Sequence, residues 1–312
     1  MQEKPHWTRR RFLQSVPVAT LAAGVGGVDL RAAPSASTSS PVCVFTKPLQ
    51  WLSYEKLAEQ VAEFGFDGIE GTVRPEGHVL PERVKQDLPR LVRALQARKL
   101  DFTIMTSAVN SIRDPLSRTV LQTAAELGIR RYRMGYYRYD NTRPIMDQLR
   151  GFRAECRELA DFNREHGLSA IYQNHSGDKY AGAPIWDLHW LLDGIDPQHV
   201  GVAFDIRHAT VEGGLSWPIQ FRLIRPQMTT VYVKDFVWQG LRPKNVPLGQ
   251  GRIQRRFFQM LKQSKYQGPI SLHMEYVDHR DPKLLPQSLA AIQQDIGTLK
   301  QWLREAGLIK AG

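Results

Sequence analysis

From Val42 onward the chain alternates short apolar runs with longer amphipathic ones, eight times over. The apolar runs are Val42–Thr46, Gly68–Val73, Phe102–Thr106, Arg131–Tyr136, Ser169–Gln173, Val200–Phe204, Thr230–Val233 and Ile270–Met274. They are rich in β-branched and aromatic side chains, as strands buried on both faces tend to be. Between them lie Tyr54–Phe64, Pro81–Arg98, Leu116–Leu127, Ile145–His166, Ile185–Leu192, Trp217–Ile224, Arg255–Gln263 and Leu285–Ala306. In these segments apolar residues recur every three or four positions, as in Leu57, Val61 and Phe64, which predicts helices with one buried stripe. Gly65, Gly128 and Gly167 each follow a predicted helix and lead into the next strand. Eight β/α units in series imply an α/β fold with a parallel sheet, closed into a single (β/α)8 TIM barrel over residues 42–312. An open doubly wound sheet would suit the same rhythm, but no Gly-rich dinucleotide loop follows the first strand.

The N-terminus reads differently. The run Thr8-Arg9-Arg10-Arg11-Phe12-Leu13-Gln14 has the form of a twin-arginine export signal. An apolar stretch, Val16–Val28, and small residues at Ala32 and Ala33 follow it, so residues 1–33 are expected to be a cleavable signal peptide and 34–41 a linker. The apolar stretch is too short to anchor across ~30 Å of hydrocarbon. The expectations are engagement with the twin-arginine export machinery, a periplasmic or otherwise exported location, and no stable membrane insertion. The leader accounts for five basic and two acidic residues of a formal charge of +11, leaving about +8. The remaining basic residues are scattered and no aromatics interleave with them, so nucleic acid is not an expected partner. The two cysteines, Cys43 and Cys156, fall in a strand-like and a helix-like run and are expected to be buried free thiols.

Active sites of such barrels lie at the carboxyl ends of the strands. Strand two ends in Glu70, followed by a loop carrying Arg74 and His78. Strand five ends in Gln173-Asn174-His175-Ser176, strand six in Asp205-Ile206-Arg207-His208, strand seven in Lys234-Asp235 and strand eight in His273-Met274-Glu275. Five polar clusters arriving at one predicted rim point to an enzyme.

The order strand–Asn-His, strand–Asp-x-x-His, strand–Lys-Asp, strand–Glu resembles the xylose-isomerase-like barrel superfamily of sugar-phosphate isomerases and epimerases, over roughly residues 42–305. Thr72–Pro75, Asn174–Gly177 and Asp205–Gly214 extend the likeness to an exported subgroup of that family. The resemblance implies a divalent metal held by two carboxylates, an Asp and a His from strands five to eight. Asp205 and Glu275 match that pattern, whereas Gln173 stands in place of the strand-five carboxylate and Tyr232 in place of the histidine. Two readings follow. A shifted site of His175, Asp205, His208 and Glu275 would suit manganese, zinc or iron. Alternatively, Lys234 replaces the metal's charge by polarising a substrate oxygen.

The expected activity is isomerisation or epimerisation of a small carbohydrate by proton transfer next to a carbonyl. Glu275, His175, Lys234 and Asp235 are the expected catalytic groups; Glu70, Arg74, Asn174, Arg207 and His208 are expected to bind substrate. A lyase or keto-glycoside-cleaving enzyme uses the same enediolate chemistry and is the alternative, as is a non-catalytic envelope sugar-binding protein. Abasic-site endonucleases share the barrel but need a zinc cluster for which Gln173 and Tyr232 are poor ligands. Replacing Arg9 and Arg10 with lysine is expected to retain uncleaved precursor in the cytoplasm, read by fractionation and immunoblot. Normal export of that variant would remove the leader assignment.

Overall fold

The computed structural model describes residues 40–310; the leader, and all of the linker but Ser40 and Pro41, lie outside the described residues. Seven parallel strands come first: β1 (Val42–Phe45), β2 (Gly68–Thr72), β3 (Asp101–Thr106), β4 (Arg131–Arg133), β5 (Ser169–Gln173), β6 (Val200–Asp205) and β7 (Met228–Val233). A hairpin, β8 (Asp235–Gln239) and β9 (Arg242–Val246), precedes the last barrel strand, β10 (Ile270–Leu272). β1 pairs with both β2 and β10, and that double pairing closes the ring. The result is the (β/α)8 barrel that the sequence rhythm predicts.

Outside the ring run α1 (Tyr54–Glu63), α2 (Val84–Ala97), α3 (Pro115–Glu126), α4 (Ile145–His166), α5 (Ile185–Leu191), α6 (Ile206–Gly213), α7 (Trp217–Ile224), α8 (Arg256–Gln263) and α9 (Leu285–Glu305). Their apolar stripes bury Leu57 and Val61, Leu149 and Leu159, and Ile292 and Leu299 against the outward faces of the strands. Gly167 ends α4 in the left-handed conformation (φ 63°), and the chain turns directly into β5. Cys43 and Cys156 are buried free thiols. Among the described residues, no helix is long and apolar enough to cross a membrane.

Inside the ring, Cys43, Ile104, Ile171, Ala203 and Tyr232 form an apolar plug of their own. Side chains alternate along a strand, so the next inward position on each is two residues later. Those positions are Phe45, Thr106, Gln173, Asp205 and Lys234. A polar layer therefore rests on an apolar floor, at the carboxyl end of the barrel.

Two elements depart from the sequence reading. The chain after β6 turns at once into α6, whose first free N–H, that of His208, is accepted by Asp205 (3.1 Å), so the strand's last side chain caps the helix. The chain after β7 reverses as the β8–β9 hairpin around Gly240, where φ is 59°. Asp235, expected to carry protons, instead anchors this excursion. Its carboxylate is 1% exposed and accepts the backbone N–H groups of Phe236, Gly249, Gly251 and Ile253 at 2.8–3.0 Å. A Cβ on Gly251 would strike that carboxylate, so the loop closes on it only with glycine there. Removing the acceptor leaves those N–H groups without their partner. Asp235→Ala is accordingly expected to cost roughly 3 kcal/mol in urea denaturation; a loss below about 0.5 kcal/mol would show that the loop closes without it.

Candidate active site at the carboxyl ends of the strands

The Lys234 side chain is 6% exposed and its ammonium lies 2.6 Å from Glu275 Oε2 and 3.2 Å from Asp205 Oδ2. Burial opposes a charged amine, but the two carboxylates more than offset it and raise its pKa. Glu275 in turn gives its other oxygen to Lys47 at 3.2 Å. Burial alone would raise the Glu275 pKa, yet the two lysines hold it well below the usual carboxylate range.

Asp205 is fixed from every side. Asn174 clamps its backbone with two hydrogen bonds, accepting its N–H at 2.7 Å and donating to its carbonyl at 3.1 Å. Gln173 donates its amide N–H to Asp205 Oδ2 at 2.7 Å. The orientation of that amide follows from its neighbours: Arg133 (2.7 Å) and the Tyr136 hydroxyl (2.5 Å) both donate to Gln173 Oε1, so the nitrogen must face Asp205. Asn174 is thus a positioning residue, 2% exposed, and not the substrate contact expected of it.

The rings of His175 and His208 are tilted against each other by 34°, 4.0 Å between centroids. His208 Nδ1 accepts from the Ser176 N–H (3.1 Å) and lies 3.0 Å from Arg207 Nη1, which puts its proton on Nε2, facing Asp205 Oδ2 at 3.6 Å. Burial, then Lys234, His175 and Arg207, depresses its pKa well below the ordinary value. His175 Nδ1 sits 2.8 Å from the Ser176 carbonyl, an obligate acceptor, so Nδ1 carries the proton and Nε2 keeps its lone pair. Burial and Lys234 lower the His175 pKa to about 4, leaving a neutral imidazole at physiological pH.

Below this layer, Glu70 is fully buried and accepts from Thr106 (2.6 Å) and Ser271 (2.7 Å), with His273 Nε2 at 2.8 Å. It is closed off from the cavity, so the expectation that it contacts substrate gives way to a structural role. Tyr232 belongs to the plug, its ring 4.3 Å from that of His273. Arg207 reaches the rim and is held by Asn245 of the hairpin (3.1 Å) and by Ser176 (3.0 Å).

Above Lys234 a cavity of about 140 Å³ is lined by Phe45, Lys47, Arg74, His175 and Glu275, among others. It shares Lys47, His175, Lys234 and Glu275 with a wider mouth of about 530 Å³, edged by Arg207 and Asn245. A second cleft of about 480 Å³ lies beside Asp101, Arg131 and Ser169 at the amino ends of the strands. The lysine, histidines and carboxylates gather at the other end, and the candidate site is placed there. Of the expected residues, His175, Lys234, Glu275, Arg74, Arg207, Asp205 and His208 come together, while Asp235, Glu70 and Asn174 serve the frame. Lys47, Arg133 and Tyr136 complete the network without having been singled out, and His273, named in the strand-eight cluster, was given no role there. The one sequence signal of the three missed residues was position, at the ends of strands one and four.

The donor set does not fit the expected metal. Asp205 spends one oxygen on the α6 cap, and Gln173, Lys234 and His208 turn N–H groups toward the other. Glu275 lies on the far side of the ammonium. Among the described residues, no group of three or more His, Cys, Asp or Glu is arranged to hold a metal ion. The place between the two carboxylates is filled by a cation already bonded to the chain.

The family model for xylose isomerase-like TIM barrels matches residues 58–305. No curated protein sequence matches. Among solved structures, the chain is similar to a xylose isomerase-like TIM barrel protein from Mycobacterium smegmatis in complex with magnesium. The TM-score is 0.65 at 16% identity, with 88% of this chain and 99% of that one covered. It is also similar to a 3-keto-D-glucoside 4-epimerase from E. coli, with TM-score 0.60, 16% identity and 81% and 99% coverage. A third likeness is to a probable 3-DHS dehydratase from Bacillus anthracis, with TM-score 0.64, 13% identity and 84% and 98% coverage. At these identities the likenesses establish the fold.

The Glu70 cluster carries a pH dependence. Burial would raise the Glu70 pKa, but His273, Arg133 and the Thr106 hydroxyl outweigh it and lower the value from 4.5 to about 2. A depressed folded-state pKa stabilises fully above the unfolded value and is lost as the pH falls through the folded one. The urea midpoint is therefore expected to fall between about pH 4.5 and pH 2, and more steeply than in Glu70→Gln. Parallel curves for the two proteins would show that Glu70 contributes nothing in that window.

Proposed function

Because the chain belongs to the xylose isomerase-like TIM barrel family, we propose that it moves a proton next to the carbonyl of a sugar derivative, with Lys234 in the electrostatic role that a divalent ion plays elsewhere on this fold. The observation that carries the reading is the buried ammonium between Asp205 and Glu275, facing a cavity that also holds a neutral histidine.

Removing a proton beside a carbonyl builds negative charge on the carbonyl oxygen. A fixed ammonium stabilises that charge without reorganising at the moment of reaction. His175 Nε2 is the base: it is neutral at working pH, lines the cavity and has its other nitrogen held by the Ser176 carbonyl. Glu275 keeps Lys234 charged and placed; held down by two lysines, it is a weak proton acceptor. Gln173 stands where a second carboxylate would serve the opposite face of the carbon. One base on one face suits isomerisation, in which a proton is taken up and returned at the neighbouring carbon. The same arrangement suits elimination, and the single-base geometry favours that second reading over epimerisation. An exported location belongs to the same proposal and rests on the Thr8–Gln14 run, which lies outside the described residues.

Solvent deuterium entering keto-sugars and keto-glycosides, followed by NMR, tests the reading. Protein treated with a chelator is expected to retain exchange, and Lys234→Met to lose about two to three orders of magnitude in rate. That variant should also lose about 3 kcal/mol of stability, because two buried carboxylates then lose the cation they share, so it is assayed well below its melting temperature. Exchange that stops on chelation and returns with manganese would overturn the role given to Lys234. Exchange unaffected in Lys234→Met would do the same.

A further inference from the structure

Four cations line the small cavity, Lys47, Arg74, Arg133 and Lys234, against one carboxylate, Glu275. Three of the four are accounted for. Lys47 and Lys234 share Glu275, and Arg133 donates to Gln173. Arg74 is the exception: among the described residues its guanidinium has neither a hydrogen bond nor an ion pair, only the Phe45 ring, 5.9 Å from its Cζ. It is half-buried, with burial first and then the nearby Arg133 lowering its pKa. Withdrawing a charge from water without a partner is unfavourable, and the geometry leaves this fork open to the cavity.

An anion is the natural counterpart, and the surrounding backbone narrows which one. Phosphate sites in such barrels are built from backbone N–H groups in the loops after the seventh and eighth strands. Here the N–H groups of Gly249, Gly251 and Ile253 after β7 already converge on the Asp235 carboxylate. Beyond β10, the Arg280 and Lys283 N–H groups go to Asp278 and Asp281. Around Arg74 itself, its own N–H and those of Gly77 and His78 are spent on Val79, Arg74 and Thr72. No spare backbone nest adjoins the guanidinium among these groups. A single planar fork with two parallel donors matches a planar carboxylate.

We infer that the substrate is an acidic sugar, whose carboxylate lies on Arg74 while its reacting oxygen meets Lys234. The inference rests on the proton-transfer reading above for the second contact; the first stands on Arg74 alone. Calorimetry with the whole protein compares D-glucuronate and D-galacturonate with D-glucose and D-galactose, and with D-glucose 6-phosphate. The uronates are expected to bind the parent protein about tenfold to a hundredfold more tightly than the neutral sugars, as one charge-assisted pair allows. Arg74→Gln is expected to bring the two classes together, and Arg74→Lys, which keeps the charge but loses the fork, to retain part of the preference. If Arg74→Gln fails to fold, the Arg74→Lys loss decides. Equal binding of uronates and neutral sugars overturns the inference, as does no binding of any of the five. A preference for the phosphate over the uronates also overturns it, in favour of a phosphorylated ligand, and so does a uronate preference that survives in Arg74→Gln. Deuterium exchange is scored separately on the same sugars. A uronate preference lost with Arg74, without any exchange, removes the proton-transfer reading and leaves the carboxylate contact; exchange on neutral sugars with no uronate preference does the reverse.

Discussion

An ammonium buried between two carboxylates sets the terms for everything around it. Taken out of water alone, Lys234 would cost several kcal/mol, and so would Asp205 or Glu275. Together they are tolerable only if the geometry is held and each leftover oxygen has a donor. The frame supplies both. Asp205 is clamped by Asn174, capped onto α6 and met by the Gln173 amide; Glu275 has Lys47 on its second oxygen. The Gln173 amide is itself oriented by Arg133 and Tyr136, so the placement of one lysine is determined by side chains from β4, β5 and β6 and by groups flanking β1 and β10.

The same arrangement explains why the centre of this barrel presents a lysine rather than a set of inward-facing lone pairs. A metal site needs lone pairs turned inward. Here the groups facing Asp205 turn N–H bonds toward it, the Gln173 amide among them. The two buried carboxylates, Asp205 and Glu275, then require a cation, and the chain supplies it. Lys234 stands two residues after Tyr232, the next inward step on β7, and is long enough to reach both.

Much of this was legible beforehand. The barrel followed from the strand and helix rhythm, because strands buried on both faces and helices with one stripe leave strong patterns. The rim residues on strands five to eight followed from the rule that barrel sites sit at strand carboxyl ends. Asp235 and Glu70 misled because their letters, acids at strand ends, are those of catalytic groups; only the contacts show one collecting backbone N–H groups and the other sealed beneath the polar layer. The β8–β9 hairpin was hidden, since its sequence carries charges and a proline where a strand would be apolar. Lys47 was passed over because it stands alone after its strand, and Arg133 and Tyr136 because they fall inside the run read as strand four, with no polar cluster to mark them. Whether a glutamine shows its oxygen or its nitrogen to a site is not a property of the sequence at all; it is decided by which donors lie behind it.

The hairpin is tied to the barrel at its base, where Phe236 of β8 is buried in the core, and at the rim. Asn245 accepts from Arg207 and donates to the Glu275 carbonyl, and Arg207 also reaches the Pro243 carbonyl. Its far strand is largely open to solvent, while Asp235 pins its base in a separate, self-contained loop. The architecture is therefore modular in the sense that matters to an evolving lineage. Exchange of the β9 residues around Asn245 would redraw one edge of the mouth without touching the plug, the ammonium or the imidazole. In this chain one edge of the mouth can therefore vary while the charge arrangement beneath it stays intact.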